Sequence, residues 1–171
     1  MRLRHCHILK TAAVGIAALC PVPIGTASAQ DAEGPECGRF VVAMELVAGH
    51  FVDTGAEGAS PGDQRLARMN ILDQDGRQIG TRYVVGIAMP AADGKYALHG
   101  TLYDDFANGS ITSQAIAMPS DITDTSRNVG HDIEGAVTGG TGAFAHATGT
   151  MSERTRDDGV REMTFDLICH D

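Results

Sequence analysis

The sequence predicts an all-β protein, an eight-stranded antiparallel closed β-barrel, and three observations carry that expectation. After Ala29 no stretch repeats apolar residues at helical spacing over three turns, whereas short β-rich runs recur between turn signals. The runs number eight, and an even set of antiparallel strands can close on itself so that no sheet edge is left unpaired. The two cysteines that remain once a leader is set aside, Cys37 and Cys169, stand at opposite ends of the series. A closed barrel puts its first strand beside its last, so both would lie together.

The chain has 171 residues, room for one domain with one core. Arg2, Arg4 and Lys10, the apolar stretch Thr11 to Ala18 and the small-residue site Ala27-Ser28-Ala29 form the three parts of a secretory signal over residues 1–29. The apolar stretch is broken by Pro21 and Pro23, and it is too short to cross a bilayer of about 30 Å. Residues 30–171 are then the mature single domain, expected to be secreted or periplasmic. Cys6 and Cys20 leave with the signal, and two cysteines in an exported protein are expected to pair.

The first run is Phe40 to Phe51 (FVVAMELVAGHF) and the second Arg65 to Asp73, followed by the turn Gln74-Asp75-Gly76-Arg77. The third, Gln78 to Met89 (QIGTRYVVGIAM), ends at Pro90 and the Asp93-Gly94 turn. Tyr83, Val85, Ile87 and Met89 alternate there with Val84, Gly86 and Ala88, so this strand is apolar on both faces. Such a strand asks for cover outside as well as inside, which predicts a homodimer or homotrimer. Lys95 to Phe106 runs into Asn108-Gly109, a hairpin dipeptide whose residues tolerate positive φ, and Ser110 to Met118 follows. Ile133 to Thr138, His146 to Thr155 and Val160 to Ile168 complete the eight. In the last of these Arg161, Met163, Phe165 and Leu167 share one face.

Of the chain's 13 basic and 22 acidic residues, three basic ones leave with the signal, so the mature chain carries 10 against 22, a net charge of −12. That field repels phosphate backbones and anionic lipid heads, so neither nucleic acid nor membrane is an expected partner. The glycine-rich stretch AVTGGTGAFAHATGT at 136–150 lacks the following helix, the lysine and the G-x-G-x-x-G spacing of a phosphate loop. It reads instead as a tight turn between the sixth and seventh strands.

This stretch, from Ala136-Val137-Thr138-Gly139-Gly140-Thr141-Gly142-Ala143-Phe144 on to Ala147 and Gly149, resembles the shared signature of plant allene oxide cyclases and dirigent proteins. Asn108-Gly109-Ser110-Ile111 is similar to the dirigent hairpin, and Gly62-Asp63 with Asn70-Ile71-Leu72 is similar to a cyclase stretch. The resemblance runs from about Met44 to Leu167. It implies the same eight-stranded barrel, trimeric in plants, with a ligand cavity inside. Bacterial relatives of this barrel include cyclases that close spirotetronate and related polyketide rings.

The resemblance also proposes site residues. Glu45 matches a glutamate thought to assist charge development in the cyclases, and Asn70 an asparagine that helps hold the substrate's oxygen; on a bare strand either residue would instead sit on a solvated face. Val47 replaces a second polar residue of the cyclases, and no tyrosine occurs between Ser120 and Glu134, which speaks against allene oxide itself. Tyr83, Tyr103, Phe106 and Phe144 are the aromatic residues available to line a cavity or to be plain core. The mature histidines His50, His99, His131, His146 and His170 show no ligand spacing. No metal and no cofactor is therefore expected. Two functions stay open: a cofactor-independent isomerase-type cyclase that folds a hydrophobic unsaturated molecule for stereoselective ring closure, and a non-catalytic dirigent-like or ligand-binding barrel.

Overall fold

In the computed structural model, which describes residues 34–119, 121–124 and 132–169, all eight expected strands are present. They are β1 (Arg39–Val52), β2 (Gln64–Leu72), β3 (Gln78–Pro90), β4 (Tyr96–Phe106), β5 (Gly109–Ala117), β6 (Ile133–Gly142), β7 (Thr148–Thr155) and β8 (Arg161–Ile168). The only helical turn among the described residues is a 3-10 turn at Ala92–Gly94. Each strand pairs antiparallel with the next, and β1 closes the barrel on β8, with Phe40 opposite Phe165 and Met44 opposite Arg161. The proposed signal, residues 1–29, lies outside the described residues, as do His131 and His170.

Alternation decides which side chains enter the lumen. On β8 Arg161, Met163, Phe165 and Leu167 are buried, as their shared phase predicts. On β1 Val42, Met44 and Leu46 point inward; Val47 is then an unpaired bulge residue, which shifts the phase so that Gly49 continues the inner set. A second bulge at Thr138 extends β6 beyond its expected end. Gly139, Gly140 and Gly142 therefore belong to the strand, and the turn between β6 and β7 is made by residues 143–147. That corrects the reading of the glycine run as the turn itself. Gly140 is required by close approach: a Cβ there would stand 2.5 Å from the Phe144 carbonyl oxygen and 2.6 Å from that of Ser110. Gly142 is required by its φ of +59°.

One end of the lumen is packed solid. Phe40 stacks on Phe165 at 4.9 Å between ring centroids, and Phe106 and Phe144 stand 5.6 Å apart against them. Ile71, Ile111, Met151 and Met163 fill the space around these rings. Outside this end Cys37 and Cys169 form a disulfide that ties the entry of β1 to the exit of β8, as their positions in the sequence predict. Asn108 of the β4–β5 hairpin donates its side-chain amide to the Pro35 carbonyl at 2.9 Å, pinning the segment that leads into β1.

Candidate functional site

The other half of the barrel is built from smaller inward residues. Gly86 of β3 lies opposite Gly100 of β4, and Ala67, Ala115 and Ala117 occupy neighbouring inward positions. Where the first half has phenylalanines this half has glycine and alanine, and a lumen cavity of about 80 Å³ remains. All eight strands contribute to its lining, including Leu46, Met69, Val84, Leu98 and Leu102. At the mouth Ile122 is buried against Ala88 and Leu98, with Phe51, Tyr96 and Ala117 around it.

A chain of alternating charge runs through the lumen between the two halves. Arg82 of β3 is fully buried and grips Asp104 of β4 with two parallel bonds, Nε to Oδ1 at 2.6 Å and Nη2 to Oδ2 at 2.7 Å. Its remaining Nη1 crosses the barrel to Glu153 Oε2 on β7 at 3.2 Å, and its guanidinium lies 5.9 Å from the centre of the Phe165 ring. The other Glu153 oxygen is paired with Arg161 of β8. Burial alone would pull the Arg82 pKa down, but the Asp104 and Glu153 carboxylates outweigh it and hold the group above its ordinary value. Arg161 goes the other way: burial depresses it, Arg82 and Arg65 add to the depression, and Glu153 offsets part. Glu153 and Arg161 border the cavity, while Arg82 and Asp104 stand behind them.

The residues singled out by the sequence fall in three other places. Glu45 and Asn70 do come together, Asn70 Nδ2 donating to Glu45 Oε2 at 3.0 Å across β1 and β2. They do so on the outer wall, because Met44 and Leu46 hold the inward phase of β1, and Met69 and Ile71 that of β2. Tyr83 and Tyr103 are cross-strand neighbours, also on the outer wall, exposed by 47% and 43%; the expectation that they line the lumen is corrected. Phe106 and Phe144 are inside, in the packed aromatic end and not on the cavity wall. The charged quartet was missed, although Arg161 shares the phase of Met163, Phe165 and Leu167 and so carried a signal. Among the described residues no group of three or more metal-ligating side chains occurs. No helix among them is long and apolar enough to cross a membrane.

No protein-family model and no curated protein matches this chain. Solved structures do. A pyocyanin demethylase superposes with a TM-score of 0.61 at 18% identity, over 76% of this chain and 99% of its own. The Diels Alderase AbmU from Streptomyces koyangensis gives 0.55 at 15% over 77% of this chain, which spans only 64% of AbmU's length. A pterocarpan synthase dirigent protein gives 0.56 at 16%, over 81% of this chain and 89% of its own. A nonspecific heme-binding cyclase of neoabyssomicin biosynthesis gives 0.51 at 14%, over 77% of this chain and 65% of its own. The shared feature is the fold, a dirigent- and cyclase-like barrel.

Proposed function

We propose that the barrel encloses a hydrophobic unsaturated small molecule in the glycine-lined half of its lumen and guides its ring closure without a cofactor. The observation that carries this is the division of the lumen, one end filled with phenylalanine and the other left open with apolar walls and one charged flank. Holding a flexible chain in one folded shape removes entropy from the barrier, a contribution of up to about 7–11 kcal/mol in ideal cases. The cavity of about 80 Å³ is smaller than the roughly 300–1,000 Å³ of sites for drug-sized ligands. Ligand entry therefore goes with withdrawal of Ile122 from the mouth and rotation of Leu98 and Met69. The neighbours described as a Diels Alderase and as a cyclase support ring closure.

A non-catalytic, dirigent-like role is the second reading. What favours it is that both lumen carboxylates are already held by guanidiniums, Asp104 by Arg82 and Glu153 by Arg82 and Arg161. Neither stands aside as a dedicated general base. An enclosing wall that only orients its guest fits both readings, and turnover of a linear polyene to one enantiomer separates them.

Export behind residues 1–29 belongs to the same proposal, with the disulfide as its support. So does assembly into a dimer or trimer through the outer face of β3 and β4, where Tyr83, Val85, Ile87, Met89 and Tyr103 are exposed. Light scattering at tens of micromolar checks the assembly, and a monomer mass overturns it. The lumen itself is tested by fluorescence titration with 2-naphthoate and its methyl ester, comparing wild type with a lumen-filling Gly86→Phe variant. Binding that Gly86→Phe abolishes, with a native melting transition retained, is the expected result. Binding of neither probe, or binding indifferent to Gly86→Phe, overturns the reading.

A further inference from the structure

Ile122 caps the mouth of the cavity. Leu98 and Ala117 line the cavity on one side and pack against Ile122 on the other. Ile122 is only 4% exposed, although it belongs to no strand and both its neighbours, Asp121 and Thr123, are exposed. The Asp121 carboxylate accepts from the Thr123 amide at 2.8 Å and from its hydroxyl at 2.7 Å, a local turn that presents the isoleucine to the barrel. The two sides of the mouth are held differently. On the β1–β2 side the buried Asp63 carboxylate accepts from the Thr54 amide at 2.9 Å, the Ser60 amide at 2.6 Å and the Ser60 hydroxyl at 3.0 Å. Backbone bonds from Gly62 to the Ala88 carbonyl, and from Ala88 to that of Asp63, fasten the same loop to β3. That rim is fixed. The Ile122 side is held by apolar contact and by charge: burial pulls the pKa of the half-buried Arg65 down, and Asp124 and then Asp121 oppose it. Both carboxylates flank Ile122 in the chain, so their attraction to Arg65, on the cavity wall, draws the isoleucine onto the mouth.

We propose that Asp121–Asp124 is an autoinhibitory plug: Ile122 competes with the ligand for the apolar mouth, and Asp121 and Asp124 latch it shut on Arg65. The proposal rests on the reading of the lumen as the ligand site and adds what controls access to it. A latch lowers the fraction of molecules open to a ligand, and the apparent affinity falls with that fraction. The charges at the mouth are balanced in the empty barrel, so they set the affinity even for a guest that carries no charge. Salt screens attractions between partly exposed charges, with a Debye length of about 10 Å at 0.1 M. Ionic strength therefore loosens the latch while leaving the apolar wall as it is.

The chain contains no tryptophan, so naphthalene fluorescence can be excited to the red of tyrosine and read without protein background. Methyl 2-naphthoate, which is uncharged, is titrated into wild type, Ile122→Ala and the double variant Asp121→Asn with Asp124→Asn. The salt is set at about 20 mM and about 500 mM NaCl, either side of the range in which screening sets in. Asparagine keeps an acceptor oxygen for Thr123. At low salt the double variant should bind about three- to tenfold tighter than wild type, and Ile122→Ala at least about tenfold tighter. High salt should tighten wild type by a factor similar to that of the double variant, and leave the double variant within about twofold. The aspartate variants remove no apolar contact and carry the test if Ile122→Ala fails to fold. Wild-type binding that the double variant leaves unchanged or weakens, or one salt response shared by both, overturns the latch. Weaker binding by a folded Ile122→Ala overturns the plug. Either result leaves the lumen reading standing, whereas binding by none of the three, each with a native melting transition, removes both.

Discussion

Arg82 holds the lumen's charges together, and replacing it with methionine keeps the volume of its stem while removing the charge. The variant loses the two bonds to Asp104, at 2.6 and 2.7 Å, and the bond to Glu153 at 3.2 Å. Glu153 retains Arg161. Asp104, with no exposed surface, is left as a buried carboxylate without its guanidinium, a situation that costs about 3–5 kcal/mol. Over the compact unit Asp31–Asp171, about 140 residues, a melting entropy of about 2.1 cal/mol/K per residue converts that loss into a drop of about 10–17 °C. Thermal and urea unfolding in non-reducing buffer measure it. The companion variant Arg82→Met with Asp104→Leu removes both charges, and apolar replacement of a buried ion pair is often neutral or better. The double variant should therefore recover most of the stability. A single-variant loss below about 1 kcal/mol, or a double variant no more stable than Arg82→Met alone, would refute the assignment of this pair as a buried, mutually compensating unit.

Three further outcomes follow from the same geometry. Reducing the Cys37–Cys169 disulfide, which spans 132 residues of sequence, should cost about 5 kcal/mol on the chain-entropy model; unreduced peptic fragments should show the two segments linked, and two free thiols in protein from an oxidising compartment would contradict it. Phe144→Ala should lose about 3–5 kcal/mol by opening a cavity in the packed end, and Gly140→Ala should also destabilise because its Cβ meets two carbonyl oxygens; neither melt should respond to added nucleotide, and a nucleotide-dependent rise in the wild-type melting temperature would contradict the purely structural role given to the glycine run. On the acid side, the Asp63 carboxyl is held below its ordinary 3.8, chiefly by the Thr54 amide and then, against burial, by Ser60. A depressed folded pKa gives stability that is present above 3.8 and lost as pH falls through the lower folded value. The melting temperature should thus fall below about pH 4, and Asp63→Asn should flatten part of that slope; an unchanged slope would count against the role of Asp63.

The sequence by itself determined the barrel. Eight alternating runs, their turn dipeptides and two terminal cysteines admit few ways of pairing all edges, and the closed strand order, with the first strand tied to the last, follows that expectation. It also determined the inward phase of β8, Arg161 included, and the two-sided apolar character of β3, because both are local properties of period-two alternation. Tertiary structure decided the rest. The bulges at Val47 and Thr138 reset the phase in mid-strand, and the inward or outward placement of Glu45 and Asn70 depended on which of two partly apolar faces won the core. Tyr83 and Tyr103 read as cavity aromatics until β3 turned Arg82 and Val84 inward instead. The charged chain was the least legible element. Its members are separated by 22 residues from Arg82 to Asp104 and by 71 from Arg82 to Glu153. β3 and β7 are not neighbours in the sheet, and only closure of the barrel brings their inward side chains together across the lumen.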